Sequence, residues 1–227
     1  MAKNGIISLT SWKARINTVS KTIYSLIKQC PGFHIVLVLS EEEFPKMMDE
    51  LPDDLMLFIN FNKIELLWVY KNYKSFKKVL FTMDKYREVP IISADDDCIY
   101  KCNYAEMLYN KWLKHKDCFV SCYGTRFKNI PHTGGAACLY PPYIFQSYGI
   151  DIMQKSYIYL LTNQDDNYYT VLRDKLNLKK YISLNNFKDV YIFHDEICPC
   201  HNEIKNTKKE RDRLWDKIFY IISKFFP

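Results

Sequence analysis

The chain has 227 residues, of which 48% are apolar and 16% aromatic, and its formal net charge is +6. This length and composition fit a single globular domain with a full hydrophobic core and exclude an intrinsically disordered chain. Only six glycines occur, and none of them forms a Walker loop or a G-x-G-x-x-G motif. No run of 18 apolar residues is present, so no transmembrane helix is predicted.

Residues 1–100 alternate between short apolar runs and amphipathic segments. The apolar runs predict strands at Ile6–Leu9, His34–Leu39, Ile64–Tyr70 and Ile91–Ile92. Helical spacing of apolar residues predicts helices from Ile16 to Ile27 and from Phe76 to Tyr86, and the acidic segment Glu41–Pro45 predicts the start of a short helix. This β-α-β-α-β-α-β order predicts an α/β fold, an open parallel sheet with helices on both faces.

Polar segments follow the first and the fourth of these strands. Thr10–Arg15 follows the first strand, and Asp95, Asp96 and Asp97 follow the fourth. Ligands of open parallel sheets bind at the carboxyl ends of the strands, and both segments lie at that edge. The two segments together predict a binding site there.

Three adjacent carboxylates at the end of a buried strand repel one another and lose hydration. A divalent cation offsets both costs, and oxygen-only ligands suit Mg²⁺ or Mn²⁺ better than zinc. Continued strand alternation would place Asp95 and Asp97 on one side and Asp96 on the other. The triplet therefore predicts an Asp-x-Asp metal clamp, and its alternative is an acidic surface turn.

The alternation of predicted strands and helices becomes less regular after the triplet. A helix is predicted through Tyr104–Trp112, a strand at Cys118–Tyr123, a Gly-Gly loop and apolar stretch over His132–Pro142, a helix after Asp165–Asp166, and a last strand at Val190–Phe193. No internal repeat or linker interrupts the sequence, which predicts one domain over 1–227.

Eight cysteines occur, and Met1–Gly5 leads only into a short apolar run that is not typical of a signal peptide. We therefore expect a cytoplasmic protein with reduced thiols. Cys198, Cys200 and His201 suggest structural zinc, but the usual C-x₂-C pair is absent.

Four segments in the first hundred residues carry a resemblance to a known family. They are Ile7–Arg15, Glu42–Pro45, Ser75–Lys78 and Ala94–Tyr100. In this order they resemble a bacterial glycosyltransferase family with the GT-A fold, found in lipopolysaccharide and capsule loci. The later chain matches only at Gly134–Gly135, Leu139–Pro142 and Asp165–Asp166.

The resemblance implies a GT-A-type, Rossmann-like single domain with a mostly parallel central sheet flanked by helices. Its parts would be a nucleotide-binding half (1–100), an acceptor half (101–204) and a basic amphipathic helix (205–227).

The resemblance also implies a nucleotide-sugar donor, with a UDP-sugar expected, and Mn²⁺ or Mg²⁺ bridging its diphosphate to the clamp. Asp97 would bind the metal directly, Asp95 directly or through water, and Asp96 would reach toward the ribose or sugar. Further donor contacts would come from Thr10, Ser11, Arg15, Lys77, Gly134 and Gly135. The alternatives are solvated helix cations for Arg15, Lys77 and Lys78, and a plain turn for the glycine pair.

An inverting transfer needs a base to remove the proton of the acceptor hydroxyl. The family places its candidate base in a pair such as Asp165 and Asp166. A helix-capping role for Asp165 would leave Asp166 as the base. His194 is a candidate third metal ligand, as a C-terminal histidine is in other GT-A enzymes, or else an ordinary surface residue.

The segment 207–226 has an apolar face formed by Leu214, Ile218, Ile221, Ile222 and Phe225, and a basic remainder. This pattern predicts a helix that packs on its own domain, or one that rests on the inner face of the plasma membrane, where a lipid-linked acceptor would be found. The charge is too localised to favour nucleic acid as a partner.

The expected protein is thus a hexosyl- or N-acetylhexosaminyl-transferase that acts on a glycan or lipid-linked acceptor. A sugar-nucleotide pyrophosphorylase is an alternative, but it would need a glycine-rich loop after the first strand, and Thr10–Arg15 contains no glycine. A second alternative is a non-catalytic zinc protein that binds nucleic acid through its basic tail.

Overall fold

The computed structural model describes residues 4–122, 126–127, 130–131, 135–144, 165–182 and 187–194, together with the single residues Arg213, Asp216 and Tyr220. The predictions for Gly134, for the Cys198–His201 segment and for most of 207–226 lie outside the described residues. The division of the domain into two halves and a terminal helix stays a prediction.

The strands are β1 Ile6–Thr10, β2 His34–Ser40, β3 Glu65–Val69, β4 Ile91–Ser93, β5 Cys98–Tyr100, β6 Phe119–Ser121, β7 Arg126–Phe127, β8 Ile130–Pro131, β9 Cys138–Tyr140, β10 Lys180–Ile182 and β11 Tyr191–Phe193. The helices are α1 Val19–Gln29, α2 Asp53–Asn60, α3 Lys77–Lys85, α4 Tyr104–Leu113 and α5 Asp165–Lys175. Single 3₁₀ turns lie at Met47–Glu50, Lys74–Phe76 and Phe187–Asp189.

Seven strands form the central sheet in the order β10-β6-β9-β4-β1-β2-β3. The strands β4, β1, β2 and β3 run parallel, as the β-α-β alternation predicts. β9 lies antiparallel between β4 and β6, and β10 is parallel to β6. The expected mostly parallel α/β sheet is confirmed, and its parallel half places the ends of β1 and β4 side by side.

Both faces of the sheet are buried, which explains the continuous apolar character of its strands. Along β2, Ile35 and Leu37 join one core cluster, whereas Val36 and Val38 join the other. Residues of α1, α2 and α4 pack in the first cluster, and residues of α3 and α5 pack in the second. Helices therefore cover both faces, as expected, and each fully buried aliphatic side chain contributes about 1.5–3 kcal/mol.

The prediction that a helix begins at Glu41–Pro45 is wrong. This segment forms turns, in which the N–H groups of Glu43 and Phe44 donate to the carbonyl of Ser40. A single 3₁₀ turn follows at Met47–Glu50, and the next α-helix begins at Asp53. The acidic side chains are used elsewhere, since Glu42 accepts a hydrogen bond from the backbone of Asn72. Long-range contacts thus replaced the helix-dipole contact that the acidic run suggested.

The last predicted strand is confirmed as β11, but it pairs antiparallel with β5 in a separate two-stranded sheet. β7 and β8 form another small antiparallel pair. In the part of the chain that the structure describes, no helix is long and apolar enough to cross a membrane.

Candidate active site

A pocket of about 250 Å³ lies at the carboxyl ends of β1 and β4. Its lining includes the loop after β1, the triplet Asp95–Asp97, the lysine pair Lys77 and Lys78, and the pair Asp165 and Asp166. This is the edge at which open parallel sheets bind ligands. The fold therefore brings the two predicted carboxylate groups into one cavity, although they are far apart in sequence.

The loop after β1 supplies the counter-charge of the triplet. The guanidinium Nη1 of Arg15 lies 2.6 Å from Asp96 Oδ1 and 3.0 Å from Asp97 Oδ2. Ser11 Oγ donates to Asp96 Oδ2 at 2.7 Å, and Thr10 Oγ1 donates to the carbonyl of Val38 at 2.7 Å. Arg15 is thus a buried partner of the triplet, and the solvated alternative for it is wrong. Its contact with a diphosphate stays a prediction.

The triplet does not continue β4. The strand ends at Ser93, and Asp96 and Asp97 lie in the turn that leads to β5. Asp96 and Asp97 consequently share Arg15, whereas Asp95 faces Lys78. The alternation expected of a continued strand does not hold here, because side chains alternate only while the backbone stays extended.

Asp95 and Asp97 keep part of their surface toward the pocket, with side chains 30% and 20% exposed. Burial, followed by the charge of Asp95, raises the pKa of Asp97 above its usual range, and Arg15 opposes this shift. Within the described ranges, no three His, Cys, Asp or Glu side chains are grouped so that they could hold a metal alone. Mg²⁺ and related cations are usually held by one or two carboxylates together with substrate phosphates, and this pair fits such a cation.

His194 lies against the backbone of the triplet. The backbone N–H of His194 donates to the carbonyl of Asp97 at 2.9 Å, and its ring Nε2 is 3.0 Å from Thr22 Oγ1. The Thr22 hydroxyl already donates its proton to the carbonyl of Asp96, at 2.9 Å. His194 Nε2 must therefore carry the proton of the Thr22 contact, which leaves the lone pair at Nδ1. The role of His194 as a metal ligand stays a prediction.

Asp165 and Asp166 form the first turn of α5, as the sequence predicts. The N–H of Gly135, a residue with φ of 75°, donates to Asp166 Oδ1 at 2.6 Å. Burial, followed by the charge of Asp165, raises the pKa of Asp166 to about 8, and Lys78 opposes this shift. Asp166 remains partly exposed, so this carboxyl group with its raised pKa faces the pocket.

Lys77 and Lys78 are neighbours in α3 with different partners. Lys77 Nζ lies 2.9 Å from Asn72 Oδ1 and 3.3 Å from Glu43 Oε2. Lys78 Nζ lies 2.6 Å from Asp95 Oδ1 and 3.4 Å from Asp165 Oδ2. Burial lowers the pKa of Lys77, whereas the carboxylates around Lys78 outweigh burial and hold its pKa well above its usual range.

The solvated alternative for these two lysines is wrong, since Lys77 is 1% exposed and Lys78 is 5% exposed. The sequence contained one signal for this outcome. Phe76–Met83 is apolar on more than one face, which indicates a helix buried on most sides. A lysine in such a helix must find a charge partner.

Glu43 joins three loops at the edge of the pocket. Its carboxylate accepts hydrogen bonds from the backbone N–H of Lys13 at 3.2 Å, from Asn72 Nδ2 at 3.0 Å and from Lys77 Nζ at 3.3 Å. The sequence offered no signal for this role, because Glu43 follows β2 whereas its donors follow β1 and β3.

No family model and no curated protein matches this chain by sequence. One of the solved structures that it resembles is S. aureus TarS, with a TM-score of 0.55 and 13% identity over 83% of this chain and 36% of that chain. This chain therefore spans about a third of the TarS chain, at 36%. At such low identity the likeness shows the fold alone. TarS is a glycosyltransferase, so the chain has a glycosyltransferase-like fold.

Proposed function

We propose that this chain is a metal-dependent, inverting glycosyltransferase whose donor is a nucleotide-sugar, expected to be a UDP-sugar. One observation carries the proposal. A carboxylate triplet next to a buried arginine lines the same pocket of a glycosyltransferase-like fold as a second carboxylate pair, in which Asp166 has a raised pKa. Two sets of carboxylates in different electrostatic environments suit two different roles.

On the donor side, Asp95 and Asp97 would hold Mg²⁺ or Mn²⁺ together with the diphosphate. When bound, the cation would neutralise the charge that develops on the leaving diphosphate. Arg15, which already contacts Asp96 and Asp97, holds the triplet in place and adds positive charge beside it. Thr10, Ser11 and Lys77 line the same part of the pocket and would contact the nucleotide.

On the acceptor side, Asp166 would take the proton of the acceptor hydroxyl. That oxygen would attack the anomeric carbon from the face opposite the diphosphate, and the bond between this carbon and the phosphate oxygen would break. The Gly135 N–H holds Asp166 Oδ1, which leaves Oδ2 for the proton. Its raised pKa, about 8, brings the proton affinity of this carboxylate closer to that of the acceptor hydroxyl, and the ionised form that acts as the base predominates above that pH.

The acceptor and the cellular setting belong to the proposal through the sequence resemblance. We propose a glycan or lipid-linked acceptor in the synthesis of a bacterial surface polysaccharide, with a hexose or an N-acetylhexosamine as the transferred sugar. The segment 207–226 would bring the enzyme to the inner face of the plasma membrane.

The first test is calorimetric titration with UDP, with and without Mn²⁺. We expect the wild type to bind UDP only when Mn²⁺ is present, and Asp97→Ala to weaken this binding by at least about tenfold, because a ligand to the metal is lost. Asp84→Ala is the matched control, since Asp84 is a half-buried carboxylate that pairs with Arg87 away from the pocket.

Binding that ignores both the metal and Asp97, or no binding of UDP at all, would exclude a UDP-sugar as the donor. Titrations with ADP and GDP under the same conditions test whether the nucleotide of the donor is uridine, adenosine or guanosine. Release of UDP from a set of UDP-hexoses and UDP-N-acetylhexosamines then identifies the sugar.

A further inference from the structure

Lys78 contacts one carboxylate from each group in the pocket. Its ammonium lies 2.6 Å from Asp95 Oδ1, in the triplet, and 3.4 Å from Asp165 Oδ2, in the first turn of α5. Its side chain is 7% exposed, and that of Asp165 is 8% exposed. One buried cation therefore connects the proposed donor side with the proposed acceptor side.

This arrangement is costly if packing is its only purpose. A buried charged pair must overcome a large desolvation penalty, and an apolar side chain of similar size often stabilises a fold equally well. Asp165 Oδ2 accepts no hydrogen bond, so the ammonium is its charge partner without an ideal hydrogen-bond geometry. Lys78 is thus shared between two carboxylates rather than matched to one.

The position of Asp166 depends on this sharing. Asp166 follows Asp165 in α5, and its own carboxylate is held by the N–H of Gly135. Without the ammonium, the negative charges of Asp95, Asp165 and Asp166 would repel one another at this partly buried position. The first turn of α5 would then move away from β4, and Asp166 would lose its fixed distance from Asp95.

We propose that Lys78 is a positioning residue that ties α5 to Asp95 and so fixes the distance between the catalytic base and the metal-binding carboxylates. This inference rests on the proposed function for the roles of Asp166 and Asp95. Lys78 also holds Asp95 Oδ1, which leaves Asp95 Oδ2 for the cation.

Lys77 is a close internal control. It is the preceding residue of α3 and is equally buried, but its partners are Asn72 and Glu43 on the other side of the pocket. Replacing either lysine with methionine removes one buried charge and keeps the length of the side chain. Only the replacement of Lys78 removes the tie to α5.

The test is hydrogen exchange followed by NMR on the metal-free and ligand-free protein. In Lys78→Met we expect the amides of Gly135, Tyr169 and Thr170 to exchange at least about tenfold faster than in the wild type, because local opening at the start of α5 becomes easier. In Lys77→Met these amides keep their protection. Lys78→Arg retains the charge and restores most of the protection.

Activity supplies the second readout. Lys78→Met should lower the rate of UDP release from the preferred UDP-sugar by about 100-fold, since a small displacement of a catalytic group has such an effect. Its affinity for UDP with Mn²⁺ should change by much less. Lys77→Met should show the opposite pattern, with weaker UDP binding as the main defect.

The outcomes separate the two proposals. Unchanged protection of α5 in Lys78→Met, or equal loosening in Lys77→Met, would overturn the role of Lys78, whatever the UDP titrations give. A wild type that ignores UDP while Lys78→Met still loosens α5 would overturn the proposed function and support the tie. If Lys78→Met does not fold, Lys78→Gln takes its place, because it also removes the ammonium while all three carboxylates remain, and it should give the same faster exchange.

Discussion

The two carboxylate groups of the pocket differ in how their charge is compensated. Asp96 has the guanidinium of Arg15 at 2.6 Å and the hydroxyl of Ser11 at 2.7 Å. Asp166 has one backbone N–H, and the nearby ammonium of Lys78 contacts its neighbour Asp165. Asp96 therefore has a cation and a hydroxyl donor beside it, whereas the carboxyl group of Asp166 has a raised pKa. Surroundings, and not residue type, separate a binding carboxylate from a candidate base.

The largest expected effect is at the base. Asp166→Asn should lower sugar transfer by about 10²- to 10⁴-fold, because the amide cannot accept the proton of the acceptor hydroxyl. Its oxygen can still accept the hydrogen bond of Gly135, so the local structure should persist. The affinity for UDP with Mn²⁺ should stay within about threefold of the wild type. Near-normal transfer by this variant would show that Asp166 is not the base. The triplet and the Asp165–Asp166 pair would then not have different roles.

The next largest effect is expected at Arg15, whose guanidinium compensates the negative charge of the triplet. Arg15→Met should lower the free energy of unfolding by about 3–5 kcal/mol in the absence of divalent metal, because it leaves buried carboxylates without their partner. Mg²⁺ should restore part of this loss. Lys13→Met is the control in the same loop, since the Lys13 side chain is 64% exposed and its pair with Glu50 is screened by solvent, so little stability should be lost. Urea denaturation with and without Mg²⁺ measures all these values, and equal losses in both variants would contradict the assigned role of Arg15.

The raised pKa of Asp166 predicts a stability cost that grows as the pH rises from 3.8 to about 8. Its folded-state pKa of about 8 lies above its ordinary value of 3.8, so the folded protein keeps a proton that the unfolded chain releases. The stability that the protonated Asp166 contributes is fully present below its ordinary pKa of 3.8. It is lost as the pH rises through the folded-state pKa. Asp166→Asn removes this loss and should be more stable than the wild type at pH 8 by roughly 2–4 kcal/mol, with a smaller difference near pH 5. A difference that does not change with pH would mean that Asp166 ionises normally.

A carboxylate at the opposite edge of the sheet should give the smallest effect. Partial burial opposes ionisation of Glu65, but hydrogen bonds from Lys85, Tyr86 and His34 lower its pKa to about 2. The stability it contributes is therefore present above its ordinary pKa and is lost as pH falls toward 2. Glu65→Gln should lower stability by about 1–2 kcal/mol at pH 7 and hardly at all near pH 2.

Glu65→Gln should also leave UDP binding unchanged, because Glu65 begins β3 at the edge away from the pocket. Denaturation at several pH values and one UDP titration check both statements. A loss of UDP affinity would show that carboxylate substitutions act on the pocket through general destabilisation.

Most of the parallel half of the fold could be predicted from the sequence. The strands β1 to β4 and the helices α1 and α3 follow from runs and periods of apolar residues, which are local properties of the chain. The antiparallel insertion of β9 and the pairing of β5 with β11 could not be predicted in this way. Strands of three residues carry little pattern of their own, and their partners lie far away in the sequence.

The candidate site divides along the same line. Asp95–Asp97 follow a buried strand and Asp165–Asp166 open a helix, and both positions are recognisable from neighbouring residues. The side chains that give these carboxylates different properties cannot be recognised from neighbouring residues. The sequence predicts a solvated cation at Lys78, which is buried, and a helix start at Glu43, which does not form.

The sequence by itself thus determined which strands form the parallel sheet and which acidic segments lie at its ligand edge, because periodicity and turn position are written in adjacent residues. Only the tertiary structure decided that Arg15 compensates Asp96, that Lys78 is shared by Asp95 and Asp165, and that Gly135 holds Asp166. These contacts join segments up to 87 residues apart, Lys78 to Asp165, and charge interactions depend on distance and burial in space, which no local pattern records.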